Sequence, residues 1–157
     1  MKKSERVSAL LAAAGQPEKA AHKLALDPFY TGYFRYFNNQ LYYEAHDVIE
    51  QLWLRERNAD WEFFKGLIQI AGAFVHLQKQ FLRPLHPKDG RRMFPAVRLF
   101  RSGSCLLNVY RPVHLHLDVD AFCAMCEDFA GAIVASDYTL NPWHPDRAPQ
   151  ISLRDGD

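Results

Sequence analysis

The stretch from Trp61 to Leu82 limits the fold more than any other part of the chain. Trp61, Phe64, Leu67, Ile68, Ala71, Val75 and Leu82 recur at helical spacing, and the helix they predict is apolar nearly all round. Such a helix has to be covered on most of its sides, so the rest of the chain must supply its neighbours. Upstream, an aromatic-rich helix is expected from about Phe29 or Tyr33 to Leu54, after a turn at Asp27-Pro28. Phe34, Phe37, Leu41, Ala45, Val48 and Leu52 would form its core stripe. The polar break Arg55 to Asp60 is short enough to make the two helices antiparallel neighbours, with Asp60 as the N-cap of the second.

The remaining punctuation completes a bundle. Arg83-Pro84-Leu85-His86-Pro87-Lys88-Asp89-Gly90 cannot stay helical and is expected as a surface loop. A third core helix should run from Pro95 to about Tyr110, where Arg111-Pro112 stops it. Asp118 or Asp120 can cap a last helix through Phe122, Met125, Phe129 and Ile133, and a proline-rich tail follows from Asp137. Ser4 to Leu26 reads as a covering segment of two short helical pieces split at Gly15-Gln16-Pro17. No segment reads as a strand. The expected architecture is all-α: a compact multi-helix bundle with a central antiparallel helix pair. It forms one domain over residues 1–157, with a motif-bearing core at 33–110 and the tail at 137–157.

Composition narrows the function classes. With 19 basic and 18 acidic residues the formal net charge is +1, which gives no general drive toward nucleic acid or an anionic membrane. The apolar runs fall short of the ~20 residues a spanning helix needs, and the amino terminus lacks a signal-peptide core, so a cytoplasmic location is expected. Three cysteines make a poor disulfide framework and fit a reducing compartment.

One helix carries the candidate chemistry. His46 and Glu50 lie four residues apart and so share a face, with Trp53 beside them on the flank of the core stripe next to Tyr42 and Tyr43. On the following helix Lys65, Gln69, Gly72 and His76 form a narrow polar-or-small stripe. Buried polar groups need partners, so the economical arrangement turns the two stripes toward each other and lets His46, Glu50, Gln69 and His76 converge. Three chemistries fit that convergence. A divalent ion (zinc, iron or manganese) could be held by His46, Glu50 and His76, with open positions for water, as in a metal-dependent hydrolase. Without metal, Glu50 could orient His46 as a general base while Gln69 or Tyr42 donates to developing negative charge. Alternatively the polar residues form a structural network, and the chain is a non-catalytic helical module whose aromatic surface docks a partner or a second copy as a homo-oligomer.

Other clusters are weaker signals. Lys88, Arg91, Arg92, Arg98 and Arg101 surround the start of the Pro95 helix, where an anion or small-molecule ligand could bind. Cys123 and Cys126, with His114 and His116 upstream, have zinc-like spacing, yet they sit in an amphipathic helix and read better as core cysteines. Trp143 and His144 are expected to pin the tail to the bundle.

Phe37-Asn38, Tyr42-Tyr43-Glu44-Ala45-His46-Asp47, Glu50, Trp53, Gly66-Leu67-Ile68-Gln69 and Ala71 to His76 together give the chain a family likeness. It resembles the domain of unknown function 309 family of bacterial and archaeal proteins, whose motif His-x-x-x-Glu-x-x-Trp/Tyr is matched by His46, Glu50 and Trp53. The resemblance implies a small helical bundle and a metal-binding role for His46 and Glu50. It extends over about Phe34 to Gln78 and, more thinly, Pro95 to Leu107. The Pro/His/Lys/Arg loop between Phe81 and Pro95 departs from the short Gly-Asn turn of relatives.

Overall fold

The computed structural model describes residues 23–154. The covering segment expected from Ser4 lies outside the described residues as far as residue 22. Five α-helices make the body: α1 (Pro28–Asn38), α2 (Tyr42–Arg55), α3 (Trp61–Leu82), α4 (Met93–Leu107) and α5 (Val119–Ala135). Single 3-10 turns lie at Asn108–Tyr110 and Pro145–Arg147, and β1 (Val113–His114) pairs antiparallel with β2 (Leu117–Asp118). None of the helices described is long and apolar enough to cross a membrane.

As its composition requires, α3 is the central element, packed on α2 along one side and α4 along the other. Both neighbours run antiparallel to it. The last turn of α2 meets the first turn of α3 where Trp53 stacks on Trp61 (ring centroids 5.4 Å apart), and the residues preceding α2 meet the end of α3 where Gln78 donates to the Gln40 carbonyl at 3.0 Å. The α3–α4 crossing is close because glycines oppose each other. A Cβ on Gly103 would lie 3.0 Å from the Gly66 carbonyl oxygen and 2.7 Å from Ile70 Cγ1. Gly72 faces the side chain of Leu99.

The core is rich in rings. Phe37, Tyr42, Phe74, Phe100 and Phe129 form a chain of edge-on and stacked contacts with centroids 5.0–5.8 Å apart, the spacing at which aromatic quadrupoles attract. Its buried hydroxyls are satisfied: Tyr33 donates to the Leu67 carbonyl and Tyr30 to the Leu115 carbonyl, each at 2.9 Å. The second of these bonds holds the two-residue hairpin turn, where Leu115 and His116 take the left-handed conformation that type I′ hairpins demand. Among the described residues this hairpin is the one departure from an all-helical reading.

The long helix expected from Phe29 to Leu54 is two helices. Asp27 caps α1 by accepting from the Phe29 N–H, with Pro28 in the first turn, and α1 stops at Asn38. Gln40 then turns left-handed (φ 61°), a strained choice for a residue with a side chain. Tertiary hydrogen bonds hold it there: its carbonyl accepts from Gln78, and its side-chain amide donates to the Pro145 carbonyl. The break resets the helical phase, so Tyr42, Ala45, Ile49 and Leu52 face the core, whereas Leu41 is 43% exposed.

The tail returns across the bundle as a strap. Trp143 is buried, and its indole N–H donates to the Tyr42 hydroxyl at 2.9 Å, as expected for a pin. Farther on, the Asn38 carboxamide bonds both backbone groups of Ile151, donating to its carbonyl at 2.8 Å and accepting its N–H at 2.7 Å. Cys123 and Cys126 are core residues of α5, where burial raises both thiol pKa values.

Candidate functional site

The phase of α2 decides which predicted residues are available. Tyr42, expected to line the site, belongs to the core, and burial pushes its hydroxyl pKa up to about 12 despite the Trp143 hydrogen bond. Tyr43, His46, Glu50 and Trp53 lie along the neighbouring flank of the helix, with Trp53 packed against the core. His46 Nδ1 is 3.2 Å from Asp47 Oδ1 and 3.9 Å from Glu50 Oε2, and the His46 and Glu50 side chains are 31% and 40% exposed. The Tyr43 ring lies 6.3 Å from the His46 ring and carries the Lys79 ammonium 5.3 Å from its centroid. Trp53 stacks on Trp61, over which Arg57 and Lys65 are placed at 5.8 Å.

The polar stripe of α3 takes its partners from the other side. Ser102 of α4 donates to Gln69 Oε1 at 2.6 Å, and Arg92, just before α4, donates to His76 Nδ1 at 3.0 Å. The expected convergence of His46 and Glu50 with Gln69 and His76 is therefore replaced by an α3–α4 network. The close crossing at Gly66 and Gly103 accounts for this, because it draws the polar side chains of α4 onto the stripe. Burial, with Arg92 and Lys79 adding to it, lowers the His76 pKa, so its imidazole is neutral at pH 7.

Arg92 is itself fixed. Its Nε and Nη2 donate to Asp89 Oδ1, its backbone N–H donates to Gln80 Oε1 at 2.7 Å, and Arg83 donates to the second Asp89 oxygen at 3.2 Å. The hydrogen bonds from Arg92 hold the Asp89 carboxyl below its usual range. The loop from Arg83 to Gly90 thus folds around one carboxylate, and His86 Nδ1 closes it by accepting the Lys88 and Asp89 N–H groups. Of the arginines proposed for an anion, Arg91 and Arg98 are exposed while Arg92 belongs to this network. The helix they flank begins at Met93, not Pro95.

Among the described residues, no group of three or more His, Cys, Asp or Glu side chains is placed to hold a metal ion. His76 also fits poorly as a ligand on chemical grounds. A metal-bound imidazole donates its second N–H to an acceptor, whereas the second nitrogen here receives a donor that cannot be deprotonated.

Three features escaped the sequence. Asp60 leaves its capping role and pairs with His114 of the hairpin at 2.6 Å, a contact across 54 positions that no local pattern announces. The buried Arg55 guanidinium bridges Asp27 at 2.7 Å and Glu56 at 2.8 Å. A cavity of about 530 Å³ opens between α5 and the strap, floored by Leu117, Phe122, Met125 and Ile151. It is formed by a tail whose path depends on Asn38 and Trp143.

Fold and site together define a helical-bundle protein with part-buried His76–Arg92 and Gln69–Ser102 contacts beside α3 and a half-buried His46–Glu50 pair on α2. Residues 30–85 match the family model described as Domain of unknown function (DUF309). No curated protein and no solved structure matches the chain.

Proposed function

We propose that the chain is a non-catalytic helical interaction module whose His–Gln network is structural. Its contact surface would be the flank of α2 carrying Tyr43, His46, Glu50 and Trp53. One observation carries this reading: the polar stripe of α3 is spent on α4, with Gln69 taken by Ser102 and His76 by Arg92. His46 and Glu50 are left at the surface as a pair. Part-buried hydrogen bonds of this kind between neighbouring helices fix packing without doing chemistry.

A second reading, a divalent-metal protein acting as a hydrolase, draws on the 3.9 Å approach of His46 to Glu50. Imidazole and carboxylate suit zinc, iron or manganese. The pair supplies two ligands, and the third candidate, His76, is engaged with Arg92. Elemental analysis of chelator-free protein beside His46→Ala and Glu50→Ala separates the readings. The module reading expects no metal above background in all three proteins and a melting temperature indifferent to chelator. Near-stoichiometric metal that disappears in both variants would overturn it.

A further inference from the structure

The network that removes His76 from metal chemistry also fixes its proton. An arginine guanidinium has only donors, so His76 Nδ1 accepts from Arg92 and the single imidazole proton sits on Nε2. That N–H has no hydrogen-bond partner among the described residues. It is also not one of the buried unpartnered atoms, which are Trp53 Nε1, Arg55 Nη1 and Trp61 Nε1, so it opens to solvent. Three residues along the same face, Lys79 holds its ammonium over the Tyr43 ring, with no carboxylate within 4 Å among the described residues. Of the carboxylates around it, Asp89 is engaged by Arg92 and Arg83, and Asp47 and Glu50 lie against His46 on α2. The presented His76 N–H and the uncompensated Lys79 ammonium therefore lie one helical turn apart on α3, and the Tyr43 ring of α2 lies beneath the ammonium.

We infer that this edge of α3 is an oxyanion receptor, in which His76 Nε2–H and Lys79 Nζ take a phosphate or carboxylate group. A cation is disfavoured there by Lys79 and Arg92 and by the proton on the nitrogen that faces outward. The Asp89–Arg92–His76 relay has a clear role on this reading: it locks the imidazole in the tautomer that donates outward, as second-layer hydrogen bonds do for functional histidines. The inference rests on the binding reading above and names the chemistry of what is bound.

The test is NMR of the 15N-labelled full chain at pH 7 and constant ionic strength, titrated separately with inorganic phosphate and with acetate. The His76 ring should show the Nε2–H tautomer, and its Nε2 resonance should shift along a saturable curve with at least one anion. The apparent affinity should fall about tenfold or more in Lys79→Met, which leaves the core untouched. Saturation with phosphate alone would assign a phosphorylated ligand; saturation with acetate, alone or as well, would admit a carboxylate. An Nδ1–H tautomer, a non-saturating response to both anions, or an unchanged curve in Lys79→Met would overturn the inference. The metal analysis above is read separately, so failure here leaves the module reading standing.

Discussion

Gly103 stands against Gly66 where α4 crosses α3, close enough that a methyl group on Gly103 would fall 3.0 Å from the Gly66 carbonyl oxygen and 2.7 Å from Ile70 Cγ1. Neither a backbone oxygen nor a branched core side chain yields easily. Gly103→Ala should therefore destabilise the fold by about 1–3 kcal/mol, the usual range for overpacking, despite the better helix propensity of alanine. Urea unfolding would read it. A midpoint at or above that of the parent would mean the helices can separate without cost.

Tyr42 and Trp143 give a cleaner energetic test. Tyr42→Phe leaves the buried Trp143 N–H without its acceptor, and about 1–3 kcal/mol should be lost. Adding Trp143→Phe removes the orphaned donor along with its ring area, so the two changes should be less than additive. A double-mutant cycle by denaturant unfolding measures that coupling, and strict additivity would contradict the bond.

Acid should weaken the fold through His76. Its pKa is lowered in the folded protein, so between the unfolded value near 6.5 and that lower folded value the unfolded chain binds more protons. The contribution is fully present above pH 6.5 and is lost as pH falls through this window. Unfolding midpoints measured from pH 7.5 to 5 should decline, and His76→Gln should flatten part of that decline. An identical slope in the variant would show that other groups carry it.

The three cysteines should differ in reactivity. Cys105 is exposed, whereas Cys123 and Cys126 are buried with raised pKa values, and the thiolate is the reactive form. Native protein at pH 8 should label quickly at one thiol, with the other two following only on unfolding. Mass mapping of rapid label to Cys123 would contradict the packing of α5.

How much of this was legible depends on whether a residue's partner is local. The all-helical class, the central Trp61–Leu82 helix, the loop at Arg83–Gly90 and a cap at Asp118 or Asp120 follow from periodicity and nearby punctuation; the helices and the loop are present, and the cap is Asp118. The break after Asn38 was missed because nothing near it demands a turn. Gln40 is held left-handed by Gln78 and Pro145, one 38 and the other 105 positions away. That single turn rotated Tyr42 inward. Helical spacing does bring His46 to within 3.9 Å of Glu50. Their relation to Gln69 and His76 was not legible, because it depends on which neighbour α3 approaches most closely, and two glycines 37 positions apart decide it.

The strap changes what counts as a complete unit of this fold. Residues 30–85 include Tyr42 and Asn38, yet the indole that occupies Tyr42 and the backbone that occupies the Asn38 carboxamide both come from beyond residue 140. Phe100 and Phe122, which close the aromatic core, also come from outside that span. A fragment cut at the limits of the family match would expose the inner faces of α1 and α3 to water and leave their polar anchors empty. Expression boundaries for this protein should therefore follow the path of the strap.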